Sequence, residues 1–341
     1  MSEHHLNNKK IVWELFRELD AAEPADVKRV LAKYCHEDVV WEIFHPFNTL
    51  QGIDQAADIF WTPLNEAMPD MERRPDILIA GSYRDSDWVS AMGHFMGNFL
   101  KPWLKIPETV GIIWLRIGEN YALRDGKIAK AYVLLDILDF MRQAGIHPLK
   151  RSPGCEERVP GPVTHDGICL TKHDEELGAK SLFTVLEMQE GLGKFDGTRI
   201  VPEKHSPHWS KNMMWYGPTG IGTARGLWAY RQYHGFLFLK AFPDRGSEQT
   251  AGHYIRIGDG TYAVTSGWPS LKGTHLGASW LGLPPTGKAV DMRVADWYRA
   301  DQDGKLAENW VMIDILHIAY QFGLDLLAEM EYIVDPHKRR E

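Results

Sequence analysis

Two aspartates hold the same place in two similar stretches, "KAYVLLDILDFMRQAG" (130–145) and "ENWVMIDILHIAYQFG" (308–323). In each, a strand-like apolar run ends at the acid, Asp136 or Asp314, and a helix-like apolar run begins. Period-two alternation puts Trp310 and Met312 on the face of Asp314, and Tyr132 and Leu134 on that of Asp136. A carboxyl set among aromatic and aliphatic side chains loses hydration, which raises its pKa. An acid tuned upward gives and takes protons near neutral pH. The same position also suits a helix N-cap, whose oxygen accepts an N–H from the first turn. The two roles are compatible, and the pattern leaves both open.

Other residues are candidates for the same site. His275 in "GTHLG" is placed to donate to a carbonyl oxygen or to bond its own turn. In "KNMMWY" (211–216), Asn212 is a candidate hydrogen-bonder and Trp215 a candidate wall. His234 lies on the helical stretch "LWAYRQYHGFLFLKAF", facing either a pocket or the core. Asp244 with Arg245, and Asp296 with Arg299, form two Asp-Arg pairs that read as structural ion pairs or as a polar set around a water. His205 and His208 stand three apart with no third ligand type nearby, so no metal is expected. "GPTGIGTARG" follows no strand–turn–helix unit and is not read as a phosphate loop.

These residues need a scaffold, and the chain builds it twice. "DGKIAKAYVLLDILDFMRQAG" (125–145) overlays "DGKLAENWVMIDILHIAYQFG" (303–323) without a gap, with 10 of 21 positions identical. Upstream, Trp41, Gly52 and Pro69-Asp70 match Trp215, Gly226 and Pro243-Asp244 in the same order. So long a period means two whole domains rather than a solenoid. Each copy reads as helices, a short strand, a further helix, then four strands joined by Gly- and Asp-rich turns and a closing helix. That order gives an α+β fold, an antiparallel sheet wrapped around helices into a cone. Boundaries are expected at 1–149 for the first domain, 150–177 for a Pro- and Gly-rich linker, and 178–341 for the second.

Composition bounds the rest. At 341 residues, 25% charged and 44% hydrophobic, the chain suits two globular domains with real cores. A net charge of −8 without a basic block argues against nucleic acid as a partner. No apolar run is long enough for a membrane span, and no signal core follows the first residues, so a cytoplasmic protein is expected. Three scattered cysteines, Cys35, Cys155 and Cys169, fit reduced thiols. Thirteen Trp, 12 Tyr and 13 Phe are enough to line a pocket for an apolar small molecule as well as to fill cores.

The second copy carries Gly273-Thr274-His275-Leu276-Gly277, the run Gly282 to Lys288, Asp296 to Arg299, Asp303-Gly304-Lys305, Glu308 with Trp310, and the ending Asp314 to Gly323. In order and spacing this resembles the SnoaL-like polyketide cyclases, also called ester cyclases, of the NTF2-like superfamily. Ile318 stands where that family's ending has leucine, and the resemblance spans most of 180–330. The first copy keeps the ending but lacks the G-T-H-x-G and P-P-T-G-K signatures, with Thr109-Val110 where Thr286-Gly287 is expected. It therefore reads as a structural or modified partner. The resemblance implies two tandem NTF2-like cones paired as an internal pseudo-dimer, with room for a homo-oligomer. It implies an intramolecular aldol ring closure on a polyketide-like carbonyl compound, with no cofactor and no metal. It assigns the proton-handling acid to Asp314 and, by the repeat, to Asp136. It also admits an epoxide hydrolase or dehydratase with an Asp-Arg-Asp set, or a binding protein without chemistry.

Overall fold

The computed structural model describes residues 3–157, 159–170, 174–193, 206–245 and 252–337. In the first domain, α1 (Glu3–Asp20) forms because Val12, Leu15, Phe16 and Leu19 recur at three- and four-residue steps and all become buried. After α2 (Val27–Tyr34) come β1 (Cys35–Ile43) and β2 (Asn48–Gln51). The next helix has three parts: α3 (Gly52–Gln55), a π-helical turn (Ala56–Trp61) and α4 (Thr62–Ala67). Four strands follow, β3 (Glu72–Tyr83), β4 (Ser86–Asn98), β5 (Ile112–Arg124) and β6 (Lys127–Leu135), and α5 (Ile137–Gln143) closes the domain. Only Asp125 and Gly126 separate β5 from β6, with φ of 51° and 75°. Two positive φ values in a two-residue hairpin make a type I′ turn, which accounts for the Asp-Gly at this place.

The second domain repeats the plan. After α6 (Glu175–Gly193) its strands are β7 (Trp209–Tyr216), β8 (Thr223–Arg225), β9 (His253–Asp259), β10 (Tyr262–Thr274), β11 (Ala289–Ala300) and β12 (Leu306–Ile313). A π-helical turn, Arg231–Gly235, again interrupts the helix between the second and third strands. The strand orders are β2-β1-β6-β5-β4-β3 and β8-β7-β12-β11-β10-β9, the same topology twice. The four long strands of each sheet form the expected antiparallel meander. The sheets are nevertheless mixed, because β1 runs parallel to β6 and β7 parallel to β12. Alternation reveals a pleat but not a partner, so the parallel closure was not legible in the pattern.

The compact units follow the sequence boundaries only in part. One unit holds Ser2–Pro148, Val163–Lys172 and Asp325–Glu341, and the other holds Leu149–Pro162 and His173–Leu324. The interdomain stretch is thus divided: Ile168 bridges Leu78 in one unit, and Cys155 bridges Thr223 in the other. The last helix, Leu326–Val334, buries Leu326 and Met330. It groups with the first domain, whereas the sequence reading counted it with the second. An amphipathic stripe says that a helix is covered, not which core covers it.

Candidate active site

The inner face of the second sheet borders a cavity of about 120 Å³. Period two decides which side chains reach it: Met292, Val294, Asp296 and Tyr298 from β11, and Asn309, Val311 and Ile313 from β12. Trp209 and Trp215 enter from β7, Met188 and Gln189 from α6, and His234, Phe238 and Arg245 from the interrupted helix and the turn after it.

Asp296 is the carboxylate of this cavity. Its Oδ1 accepts from Asn309 Nδ2 at 3.3 Å, and Tyr298, two residues along the same strand, donates its hydroxyl to the same carboxylate. Asn309 lies directly opposite Tyr298 in the β11–β12 register and also bonds the Trp297 carbonyl at 3.1 Å. Burial pushes the Asp296 carboxyl up to about 7, against the two hydrogen bonds, which favour the ionised form. The side chain is half-buried and lines the cavity.

His234 sits in the π-helical turn, stacked on Trp215 at 4.6 Å and 16° between ring planes, with Phe238 at 5.3 Å on the next turn. Burial, helped by the charge of Arg245, pushes its pKa down to about 3, so it is a neutral imidazole at neutral pH. Its Nδ1 has no partner among the described residues. Arg245 donates to the Leu192 carbonyl at 3.2 Å and lies over the Phe238 ring. The cavity therefore combines an acid near its midpoint, a neutral histidine, a guanidinium and aromatic walls.

Several residues singled out in the sequence lie elsewhere. Asp314, with Trp310 and Met312, sits on the face of β12 opposite the cavity-lining residues Asn309, Val311 and Ile313. Asp314 caps the following helix, accepting from His317 N at 3.1 Å, while its other oxygen meets Arg293 at 3.2 Å. Asp136 caps α5 in the same way through Asp139 N. Trp310 donates its Nε1–H to the Pro160 carbonyl at 2.9 Å. Arg299 pairs with Glu308 at 2.5 Å rather than with Asp296, because an odd spacing on a strand sends the two to opposite faces. Asn212 is exposed, and His205 lies outside the described residues. The water-centred Asp-Arg-Asp set is not assembled: Asp244 accepts from Thr274 N at 2.8 Å and borders an open outer cleft instead.

His275 explains the signature around it. Its ring is fully buried, bonded to the Ala278 carbonyl at 2.9 Å and stacked on Phe322 at 4.7 Å. Its backbone pairs with Gly287 and Lys288 at 2.9 Å each, which zips the two glycine-containing motifs together. Gly277 is required there, since a Cβ would fall 2.0 Å from the Lys240 carbonyl oxygen. Tyr298, Asn309 and Gln189 escaped the sequence reading. Alternation outward from Asp296 reaches Tyr298 directly, but Asn309 and Gln189 needed the pairing register and the helix docking.

In the first domain the register places Glu119, opposite Val133, where Asp296 stands opposite Val311. Here Arg73 of β3 makes a bidentate pair with Glu119, both bonds at 3.0 Å, and a third bond to Asp20. Tyr121 donates to Glu119 at 2.7 Å, as Tyr298 does to Asp296. The guanidinium lies over the rings of Phe16, Phe95 and Trp61 at 4.1, 4.7 and 5.5 Å.

Residues 202–322 match the family model described as SnoaL-like polyketide cyclase, and residues 15–131 match one described as SnoaL-like domain. Among solved structures, the chain is similar to a candidate SnoaL-like polyketide cyclase from Jannaschia sp. CCS1, at 21% identity over 41% of this chain and 93% of that one, TM-score 0.35. It is similar also to IdmH, a candidate polyketide cyclase from Streptomyces antibioticus, at 14% identity over 41% and 99%, TM-score 0.34. TsrD from Streptomyces laurentii matches at 21% identity over 40% and 96%, TM-score 0.33. No curated protein matches the chain. No helix among the described residues is long and apolar enough to cross a membrane.

Proposed function

We propose that this chain, which belongs to the SnoaL-like family as two tandem domains, is a cofactor-independent acid–base enzyme whose second domain closes a ring in a small apolar carbonyl compound. The observation that carries the reading is Asp296, a carboxyl pushed up to about 7 on the wall of an aromatic-lined cavity. A group near its midpoint at neutral pH exists in both forms, so one residue serves as base and then as acid. Ionised Asp296 takes a proton from the carbon beside a carbonyl. The electron pair passes into the carbonyl as an enolate, which neutral His234 stabilises by donating an N–H. The enolate carbon then attacks a second carbonyl of the same molecule, forming the carbon–carbon bond. Protonated Asp296 returns its proton to the new alkoxide. Tyr298 and Asn309 hold the carboxylate in place, and the walls of Trp215 and Phe238 keep the chain folded.

The proton-handling role thus moves from Asp314 to Asp296. Both oxygens of Asp314 are engaged, by His317 N–H and Arg293, on the other face of the strand.

The test is α-proton exchange of cyclohexanone in deuterated buffer, followed by proton NMR. Wild type is expected to accelerate exchange, with the rate rising as pH passes through about 7 and then levelling as Asp296 ionises. Asp296→Asn is expected to lose about 100-fold or more of that acceleration, while Asp314→Asn keeps it. Equal rates in wild type and Asp296→Asn would overturn the assignment and favour a binding protein without chemistry.

A further inference from the structure

A relay of side chains joins α6 to Asp296. The amide NH2 of Gln189 donates to Thr265 Oγ1 at 2.7 Å and to the Tyr298 hydroxyl at 3.3 Å. Tyr298 donates its own proton to Asp296, so its oxygen has lone pairs for an incoming N–H, and that fixes which way the amide points. The two acceptors flank the acid. Thr265 lies directly opposite Asp296 in the β10–β11 register, and Tyr298 lies two residues along β11. Both are buried, so one amide ties two strands together at the level of the carboxyl.

Hydrogen bonds in a chain polarise one another. An N–H donated to the Tyr298 oxygen draws electron density from it and makes its O–H the stronger donor to the carboxylate. A stronger donor favours the ionised acid. Docking a helix at this tyrosine does not need an amide. In the first domain α1 brings the Phe16 ring to Tyr121, 6.0 Å between centroids, where α6 brings Gln189 to Tyr298. The other titratable or charged groups bordering the cavity are Tyr230, His234 and Arg245, on the interrupted helix and the turn after it, and His253 on β9. Among the described residues, α6, β7, β10 and β12 add only uncharged side chains to its lining. Gln189 thus reaches Asp296 through Tyr298 and not by charge.

We infer that Gln189 is a positioning residue for the acid–base chemistry of the second domain: by holding and polarising Tyr298, it sets how readily Asp296 releases its proton. The inference rests on the role proposed for Asp296, but its test reads protonation and not turnover.

The experiment follows the side-chain carboxyl carbon of Asp296 by NMR across pH, in the full chain with carbon-13-labelled aspartate, the signal identified by its loss in Asp296→Asn. Wild type is expected to titrate at about 7. Gln189→Leu should titrate higher by about half a pH unit, because the charge-assisted bond from Tyr298 weakens. In a Tyr298→Phe background the same substitution should leave the midpoint where it is, since the relay is already cut. Gln189→Met replaces the leucine variant if that one does not fold, and the shift in the single variant decides if Tyr298→Phe does not. An unmoved or lowered midpoint in Gln189→Leu, or an equal rise with and without the Tyr298 hydroxyl, would overturn the proposal. A chain that titrates as expected but does not exchange the α-protons of cyclohexanone would defeat the acid–base reading and leave Gln189 in its role.

Discussion

The two domains share a topology and a register, and differ in what stands beside one carboxylate. Glu119 and Tyr121 in the first correspond to Asp296 and Tyr298 in the second. In the first domain the acid is closed off by Arg73, which is itself wrapped in three rings and side-chain exposed by only 1%. In the second domain the acid meets an asparagine, a tyrosine and a cavity, and its pKa climbs to about 7. One inherited position thus became a buried ion pair in one copy and a titratable group in the other. What separates them is a cation reaching across from β3, two strands along the sheet.

The largest consequence lies in stability. Glu119→Gln strands the Arg73 charge without its bidentate partner and should cost about 3–5 kcal/mol in urea unfolding. The matching Asp296→Asn should be neutral or stabilising at neutral pH. If both substitutions cost the same, the contrast between the interiors is wrong.

The pH profile sharpens it. Asp296 has a folded pKa raised above its unfolded value near 3.8, so its share of stability is complete below about pH 4. That share is lost as pH rises toward about 7, on the order of 4 kcal/mol, and Asp296→Asn should flatten this limb. Glu119→Gln should leave that limb in place.

His234 acts in the opposite direction. Its folded pKa is depressed, so neutral burial stabilises above pH 6.5 and that stability is lost as pH falls toward about 3. His234→Phe, which keeps the stack, should make the chain more acid-resistant by roughly 3 kcal/mol in chemical unfolding at pH 4. The smallest effect falls where the domains agree. Asp136→Ala and Asp314→Ala each lose a helix cap and should cost about 1 kcal/mol, somewhat more for Asp314 because of Arg293.

The duplication, the α+β class and most strand positions were legible because they rest on self-similarity and on period two. The twin aspartates were correctly seen as unusual, and the cap that explains them is a local pattern. The site itself was half legible. Of the cavity lining, Asp296, Trp215 and His234 were named, whereas the strand alternation was followed on the face carrying Trp310 and Met312, opposite the cavity. Both faces of β12 are buried, Leu306 and Glu308 to Ile313 alike, so hydrophobicity could not show which one borders the cavity. Arg73 was invisible for another reason. Its partners Asp20 and Glu119 lie 53 and 46 residues away, and nothing local announces that a surface-type residue is core.

The division of the chain into units has a practical reach. Because Val163–Lys172 and Asp325–Glu341 return to the first domain while Leu149–Pro162 stays with the second, no single cut yields two intact halves. A truncation meant to isolate either unit therefore has to carry segments from both sides of the interdomain stretch.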